Sequence, residues 1–436
     1  MHSTTQLNNK LTITPEFEQA LELLLNSTDH IFLTGKAGTG KSTLLSYFRT
    51  QTKKKIAVLA PTGVAALNVQ GETIHSFFRF KSNVTVEDAQ RQGFKLLNTI
   101  LFEELDAIVI DEISMVRADL IDCMDVFLRA VLNNNRDFGG IQMIWVGDLH
   151  QLPPVVTRDD HQFFKEVYNS PYFFSSRVVS QHTFVIHKVE LSTIFRQDNR
   201  LFIDFLNAIR HNAITSEQLN KFNEFSCKNE IDNENAIYLT TTNVAAQQIN
   251  DSELRQLNEE PFIHHASFSK QFDKKMAPTD EALTLKTGAR VMFVNNHSAG
   301  IWVNGSIGKI VFINPDEDEV IVRLSNGIDV PVTPHKWQMY KYSYDQKNNN
   351  LIQESAGSFT QFPLKLAWAI TIHKSQGKTF ENVVIDFGTR AFAQGQVYVA
   401  LSRCKNLSGL RLKRPLRKSD IILDSNILTW EQQLNL

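Results

Sequence analysis

Apolar positions along this chain recur in two spacings that alternate. Phe17, Ala20, Leu21, Leu24 and Leu25 follow the three-to-four-residue spacing of an amphipathic helix. Thr14-Pro15 ahead of them supplies a hydroxyl cap and a proline at the first helical position. A short apolar run at 30–34 then leads into a glycine-rich turn. Similar runs at Ile56–Ala60, Ala107–Ile110 and 144–146 predict buried strands, separated by helical stretches such as Ala118–Leu132. Strands apolar on both faces, alternating with helices, predict a parallel sheet covered on both sides. A second series of this kind starts near Lys188 and contains 237–241, Val383–Asp386 and a helical stretch at 393–401.

The segment from about 259 to 361 has a different character. Short strands are expected at 290–294, 309–313, Glu319–Leu324 and 328–332, with turns at Asn314-Pro315-Asp316 and Ser325-Asn326-Gly327. The pattern predicts an α/β protein in which a small β-barrel is inserted into the second of two parallel-sheet domains. The expected division is 1–180 for the first domain, with a short insertion at 63–78; 181–258 and 362–436 for the second; and 259–361 for the barrel.

Composition narrows the functional classes. Against 45 Lys and Arg stand 47 Asp and Glu in 436 residues, a net charge of −2. That excludes a polycation that holds nucleic acid by bulk charge, but not a local basic groove. The apolar share is 42% and the charged share 21%, as in folded soluble proteins. Thirty phenylalanines favour core packing over a base-stacking surface. Cys123, Cys227 and Cys404 fit no zinc-ligand spacing, which points to a reducing compartment. The first ten residues lack the apolar core of a signal peptide, and no run has membrane-spanning length. A cytoplasmic protein without a membrane partner is expected. The acid-rich 229–235 and basic 411–418 read as solvated loops or faces.

The chemistry begins at Gly35-Lys36-Ala37-Gly38-Thr39-Gly40-Lys41-Ser42, which fits G-x-x-x-x-G-K-[ST] between a strand and the helix opening at Thr43. The glycines let backbone N–H groups turn toward phosphate oxygens. Lys41 would reach the β- and γ-phosphates of ATP, and Ser42 would hold Mg2+. Asp111-Glu112 ends the strand Ala107–Ile110, where an acid lies beside such a loop. Asp111 is expected to bind Mg2+ and Glu112 to activate the attacking water. Gln151, after the strand at 144–146, is a candidate γ-phosphate sensor. Arg196 and Arg403 lie outside the first α/β unit and can serve as arginine fingers.

These residues sit in ordered blocks that resemble the superfamily 1B DNA helicases, and within them the Pif (petite integration frequency) family. Residues 35–43 resemble motif I; Ala60-Pro61-Thr62-Gly63-Val64-Ala65-Ala66-Leu67 and 71–78 resemble motif Ia with its insertion; 109–115 resemble motif II; 146–154, motif III; 190–198, motif IV; 371–379, including Gly377, motif V; and 398–403, motif VI. The block at 119–142, closing with Phe138-Gly139-Gly140-Ile141-Gln142, resembles the family's own signature. The resemblance implies two RecA-like motor domains with ATP between them, adenine recognition by Gln19, and 5′→3′ travel on single-stranded DNA. It also implies unwinding of tailed duplex or forked DNA, with G-quadruplexes and RNA–DNA hybrids as family-level substrates, and roles in DNA replication, repair and recombination.

A sequence-tolerant strand channel needs phosphate donors and faces for bases. Pro61, Thr62, Gly63, His75, Phe77, Phe78 and His150 are the candidates in the first motor; Thr242, Asn243, His373, Lys374 and Ser375 are those in the second. Trp302, Asn304 or Lys309 would add contacts from the insert, with a structural role for Trp302 favoured. The stretch 64–73 is a candidate wedge. A monomer is expected in the absence of DNA. Three rivals stay open: another class of P-loop ATPase, a DNA-binding module with a decayed site, and a recombination subunit working with a separate nuclease, since no nuclease domain precedes Leu436.

Overall fold

The computed structural model describes residues 13–434 apart from 82, 158, 159, 198, 232–235, 270, 271 and 349. Asp198, the end of the motif IV block, and four residues of the acid-rich 229–235 stretch lie outside the described residues, as do the first ten.

Six parallel strands form the first sheet: β1 (His30–Gly35), β2 (Ile56–Ala60), β3 (Glu72–Thr73), β4 (Ala107–Ile110), β5 (Gln142–Gly147) and β6 (Ile186–Leu191). Their order is β3-β2-β4-β5-β1-β6. Strand alternation sends successive side chains to two cores. Ile31, Leu33, Val109, Ile144 and Val146 enter one, with the helices Pro15–Asn26 and Lys41–Gln51. Phe32, Ile108, Ile110, Met143 and Trp145 enter the other. The second sheet is also parallel, in the order β18 (Ala369–Thr371), β7 (Ile237–Thr240), β19 (Val383–Asp386), β20 (Leu410–Leu412).

Between β7 and β18 lie β8 (Phe262–His265), β9 (Ser267–Phe268), β10 (Ala282–Leu285), β11 (Arg290–Phe293), β12 (Ile307–Asn314), β13 (Glu319–Leu324), β14 (Asp329–Val332), β15 (His335–Asp345), β16 (Asn350–Gln361) and β17 (Leu364–Leu366). Five of them make an antiparallel sheet, β14-β13-β12-β11-β17, and the β10-β8 pair shares its core through Leu283 and Leu285. No pairing of β14 with β17 closes this unit into a barrel among the described residues. β15 and β16 form a long hairpin that the sequence reading did not separate from the barrel.

Five further expectations are corrected. The first sheet does not end at 180, because β6 pairs in parallel with β1. The insert runs to β17, which pairs with β11. The 63–78 insertion is only half independent: β3 extends the main sheet, and Ile74, Phe77 and Phe78 enter its core. The basic 411–418 stretch is not wholly a solvated face, since it includes most of β20, and buried Leu416 anchors it. The C-terminal helix Ser425–Gln433 also returns to the first motor, where Trp430 stacks on Phe174 and meets Phe32 and Phe173.

The signature block is a packing device. Phe138 takes a left-handed backbone (φ 51) and is fully buried against His30, Trp145 and Phe184. Its N–H donates to Asp125 on the helix Ala118–Leu132, and Arg129 of that helix bridges Asp125 and Asp137. Phe78 is likewise fully buried, among Phe77, Phe80, Phe102 and Phe127. Phe78→Ala should lower stability by about 3–5 kcal/mol in chemical unfolding, the cost of an aromatic-sized cavity.

Candidate active site

A cleft of about 810 Å³ opens between the two motors. Its floor is the loop from β1 to the helix Lys41–Gln51. Gly38 and Gly40 have φ of +85 and +86, so their N–H groups face directions an L-residue would rarely allow. A Cβ at Gly38 would collide with Arg196. The Lys41 ammonium donates to the carbonyls of Gly35 (2.6 Å) and Lys36 (3.1 Å). Ala37, Thr39, Ser42 and Thr43 complete this wall.

Asp111 and Glu112 face that loop. Glu112 leaves the strand end with a left-handed backbone (φ 53), and its N–H donates to Asp111 Oδ1 at 3.0 Å. Burial and the adjacent Asp111 push the Glu112 carboxyl up to about 7, against the pull of Lys41 and Arg403. Burial also raises Asp111. Two carboxyls so placed prefer a cation or a proton between them. Ser42 and Asp111 offer hard oxygen ligands, and a phosphate-bound Mg2+ needs only one or two such groups from the protein.

Arg403 and Arg196 line the opposite wall. Arg403 is 1% exposed, and its guanidinium donates to the carbonyls of Val399, Ser375 and Lys378 and to the Ser402 hydroxyl. Arg196 donates to the carbonyls of Ser402 and Gly377, both at 3.5 Å. No carboxylate forms an ion pair with either among the described residues. Burial, then the neighbouring Arg196, lowers Arg403 to about 9. Two such cations fit a polyphosphate between them.

The seam between the motors carries contacts that sequence reasoning missed. The Ala37 N–H donates to the Tyr398 hydroxyl at 3.0 Å, although Tyr398 belongs to the second motor. Asp148 pairs with Arg210 at 3.0 Å, and both are at most 5% exposed. Burial opposes ionisation of Asp148, yet Arg210 and Lys41 hold its carboxyl down to about 2. Gln151 lines the cleft and donates to Asp148 at 3.4 Å. Phe17 and Phe195 also line the cleft, whereas Gln19 is exposed and does not. Tyr398 and Asp148 lie inside blocks already marked by the resemblance, which was the available signal.

Residues 13–220 match the family model of the PIF1-like helicases, and 366–410 that of the UvrD-like helicase C-terminal domain. The ATP-dependent DNA helicase Pif1 of Bdellovibrio bacteriovorus is 31% identical over 98% of this chain and 93% of its own. The chain belongs to the PIF1-like helicase family. Pif1 from Bacteroides sp in complex with ADP-AlF4 superposes with a TM-score of 0.87 at 33% identity, over 98% of both chains. Bacteroides Pif1 bound to ssDNA superposes with 0.69 at 34% identity, over 97% of both chains.

In this PIF1-like chain the strand candidates fall into two groups. Thr62 and Thr242 are exposed and cap helices in the same way, each Oγ1 accepting from the N–H three residues on at 3.3 Å. They follow the carboxyl ends of β2 and β7, equivalent places in the two motors. Asn243 and Lys374 are exposed; Pro61, Gly63, His75 and His373 are half-buried. Gly63 lies against Met276 of the insert. The other four are corrected on burial. Phe77 and Phe78 are core residues. His150 is 1% exposed, with its ring nitrogens on the Arg210 carbonyl and the Glu431 carboxylate. The Ser375 hydroxyl is buried and donates to the Ile372 carbonyl. Trp302 stacks on Phe293 and is structural, as expected.

Glu112→Gln should lower single-turnover ATP hydrolysis by about 10²–10⁴-fold while a fluorescent nucleotide still binds. Arg403→Ala should lower turnover by about 10³–10⁵-fold, the usual worth of a finger.

Proposed function

We propose that this protein is an ATP-dependent DNA helicase that translocates 5′→3′ on single-stranded DNA and opens tailed or forked duplex. The observation that carries the reading is the cleft between two parallel-sheet motors. There a phosphate-binding loop, the buried Arg403 and the half-buried Arg196, neither ion-paired with a carboxylate among the described residues, face Asp111 and Glu112. The relatives named ATP-dependent DNA helicase and the Bacteroides structure with ssDNA support the substrate class.

In this reading Lys41 and the loop N–H groups bind the β- and γ-phosphates. Ser42 and Asp111 would hold Mg2+, which would screen the phosphate charge. Glu112 orients and deprotonates the attacking water. Gln151 reads the γ-phosphate beside Asp148. Arg196 and Arg403 stabilise charge spreading onto the transferred phosphoryl group, which draws the motors together. Gly377 contributes its backbone to the same wall. Adenine sits toward Phe17, with Gln19 within the same helix. Pro61, Thr62, Gly63 and His75 grip the strand from one motor, and Thr242, Asn243, His373 and Lys374 from the other. Alternating grip then moves the strand with each cycle. The stretch 64–73, exposed at Val64, is the wedge in this reading.

Unwinding of paired duplexes carrying a 5′ or a 3′ single-stranded tail tests the reading. Only the 5′-tailed substrate should open, and only with ATP. Activity restricted to the 3′ tail would overturn the polarity. Lys41→Ala should abolish both ATPase and unwinding yet retain strand binding, and RNA should fail to replace DNA in stimulating the ATPase.

A further inference from the structure

Lys378 has no assigned role, yet its surroundings are built around it. Its backbone faces the nucleotide side, where its carbonyl accepts from Arg403. Its side chain enters the junction of three units. The ammonium donates to the Asn304 amide oxygen, and the Asn304 amide nitrogen donates to Asn68 Oδ1 at 3.1 Å. Asn68 ends the helix Gly63–Asn68 of the first motor, Asn304 lies in the insert, and Lys378 lies in the second motor. Asn304 is held in turn, its N–H donating to Asn296 Oδ1 at 2.7 Å. Gly305 has φ +100 and brings the loop so close that a Cβ there would stand 3.3 Å from the Lys378 Cβ.

An amide oxygen is a weak match for an ammonium. No carboxylate forms an ion pair with Lys378 among the described residues, and the nearby charges are mainly positive. Burial and Lys365 hold its ammonium down to about 8. Lys365 also bears on the exposed Lys374, and Asp280 lies 3.7 Å from Lys365. A cation confined among lysines, with only a neutral acceptor, is a site that awaits an anion. It lies four residues beyond Lys374, and Asn304 links it to the helix that opens at Gly63. A strand held by both sets of candidates would carry its backbone phosphates past this junction.

We propose that Lys378 is a phosphate ligand for the translocated strand, docked on Asn304 when no strand is bound and transferred to a backbone phosphate when one enters. The inference rests on the helicase reading above. The exchange frees Asn304 from Lys378 and so loosens the Asn68–Asn304–Lys378 chain that joins the three units. It places a strand contact on the same turn whose carbonyls hold Arg403.

The test is the salt dependence of fluorescent oligo(dT) binding for wild type, Lys378→Met, Lys378→Arg and Asn304→Ala, each confirmed folded by circular dichroism. Removing one phosphate contact should reduce the log–log salt slope by about 0.7, so wild type loses roughly 2.5-fold more affinity than Lys378→Met between about 50 and 200 mM salt. Lys378→Arg should keep the wild-type slope. Asn304→Ala should bind more tightly with the slope unchanged, because the ammonium no longer has to leave a partner. An unchanged slope in Lys378→Met overturns the inference, as does equal loss in the Met and Arg variants or weaker binding by Asn304→Ala. Failure of wild type to bind oligo(dT) would instead overturn the helicase reading, and this inference with it.

Discussion

The buried pair between Asp148 and Arg210 is the constraint on which the seam depends. Asp148 follows β5 of the first motor, and Arg210 ends a helix packed in the second. Neither charge has water to fall back on, so removing one partner would cost about 3–5 kcal/mol. The pair therefore fixes how close the motors stand at this end. Around it gather the Tyr398 contact to Ala37 and the His150–Glu431 contact to the C-terminal helix. The arginines at the other wall are held by carbonyls and the Ser402 hydroxyl, with no carboxylate ion pair among the described residues, which is a weaker grip. One end of the cleft is pinned and the other is left to respond to phosphate, which suits a joint that opens and closes.

The aromatic load of the chain serves the same pinned end. The largest cluster runs from Phe77 and Phe78 through Phe127, Phe138, Trp145 and Phe173 to Trp430. It glues the sheet, the signature block and the returning C-terminal helix into one body. Aromatic pairs in tilted or edge contact add directional preference to simple burial. Packing, the reading favoured for the phenylalanines, holds for these positions.

How much of this was legible in the sequence depended on how local the signal was. β2, β4, β13 and β19 and the helix Ala118–Leu132 match their expected bounds, because each is a short run with unbroken periodicity. The loop and the acids were legible because their chemistry requires particular residues at particular places, and the arginines only through the resemblance of the blocks that hold them. The β15–β16 hairpin was not legible. The buried residues of β15 are Trp337, Met339 and Tyr342, and the bulge at Met339/Tyr340 shifts the alternation by one. Nor could local pattern reveal that β6 and the helix Ser425–Gln433 belong to the first motor. Those assignments come from tertiary pairing, in which Ile186–Leu191 is merely half-buried along an edge. Gln19 and Phe17 show the same limit within one helix. Both sit near the loop, and only the packing of Phe17 in the core under it turns one side chain to the cleft and leaves the other in solvent.

The hairpin also explains why the insert cannot be treated as a separate module. Tyr342 enters the core of the first motor, its hydroxyl accepting from the Val58 N–H at 2.9 Å and its N–H donating to Glu72 at 3.2 Å. Glu72 is buried, and burial raises its carboxyl, so the bond to Tyr342 and that to Ser76 offset a real desolvation cost. The insert thus leaves the second motor covalently and docks on the first. Any relative movement of the motors must bend this bridge or break it. Met276 against Gly63 and Asn304 against Asn68 add weaker contacts on the same side. These contacts press on the segment between β2 and β3, where one motor is expected to meet the strand. On the proposed reading a strand gripped at Pro61–Gly63 would compete with the insert for this surface, and the position of the insert would be coupled to the strand by steric exclusion, without a dedicated signalling residue.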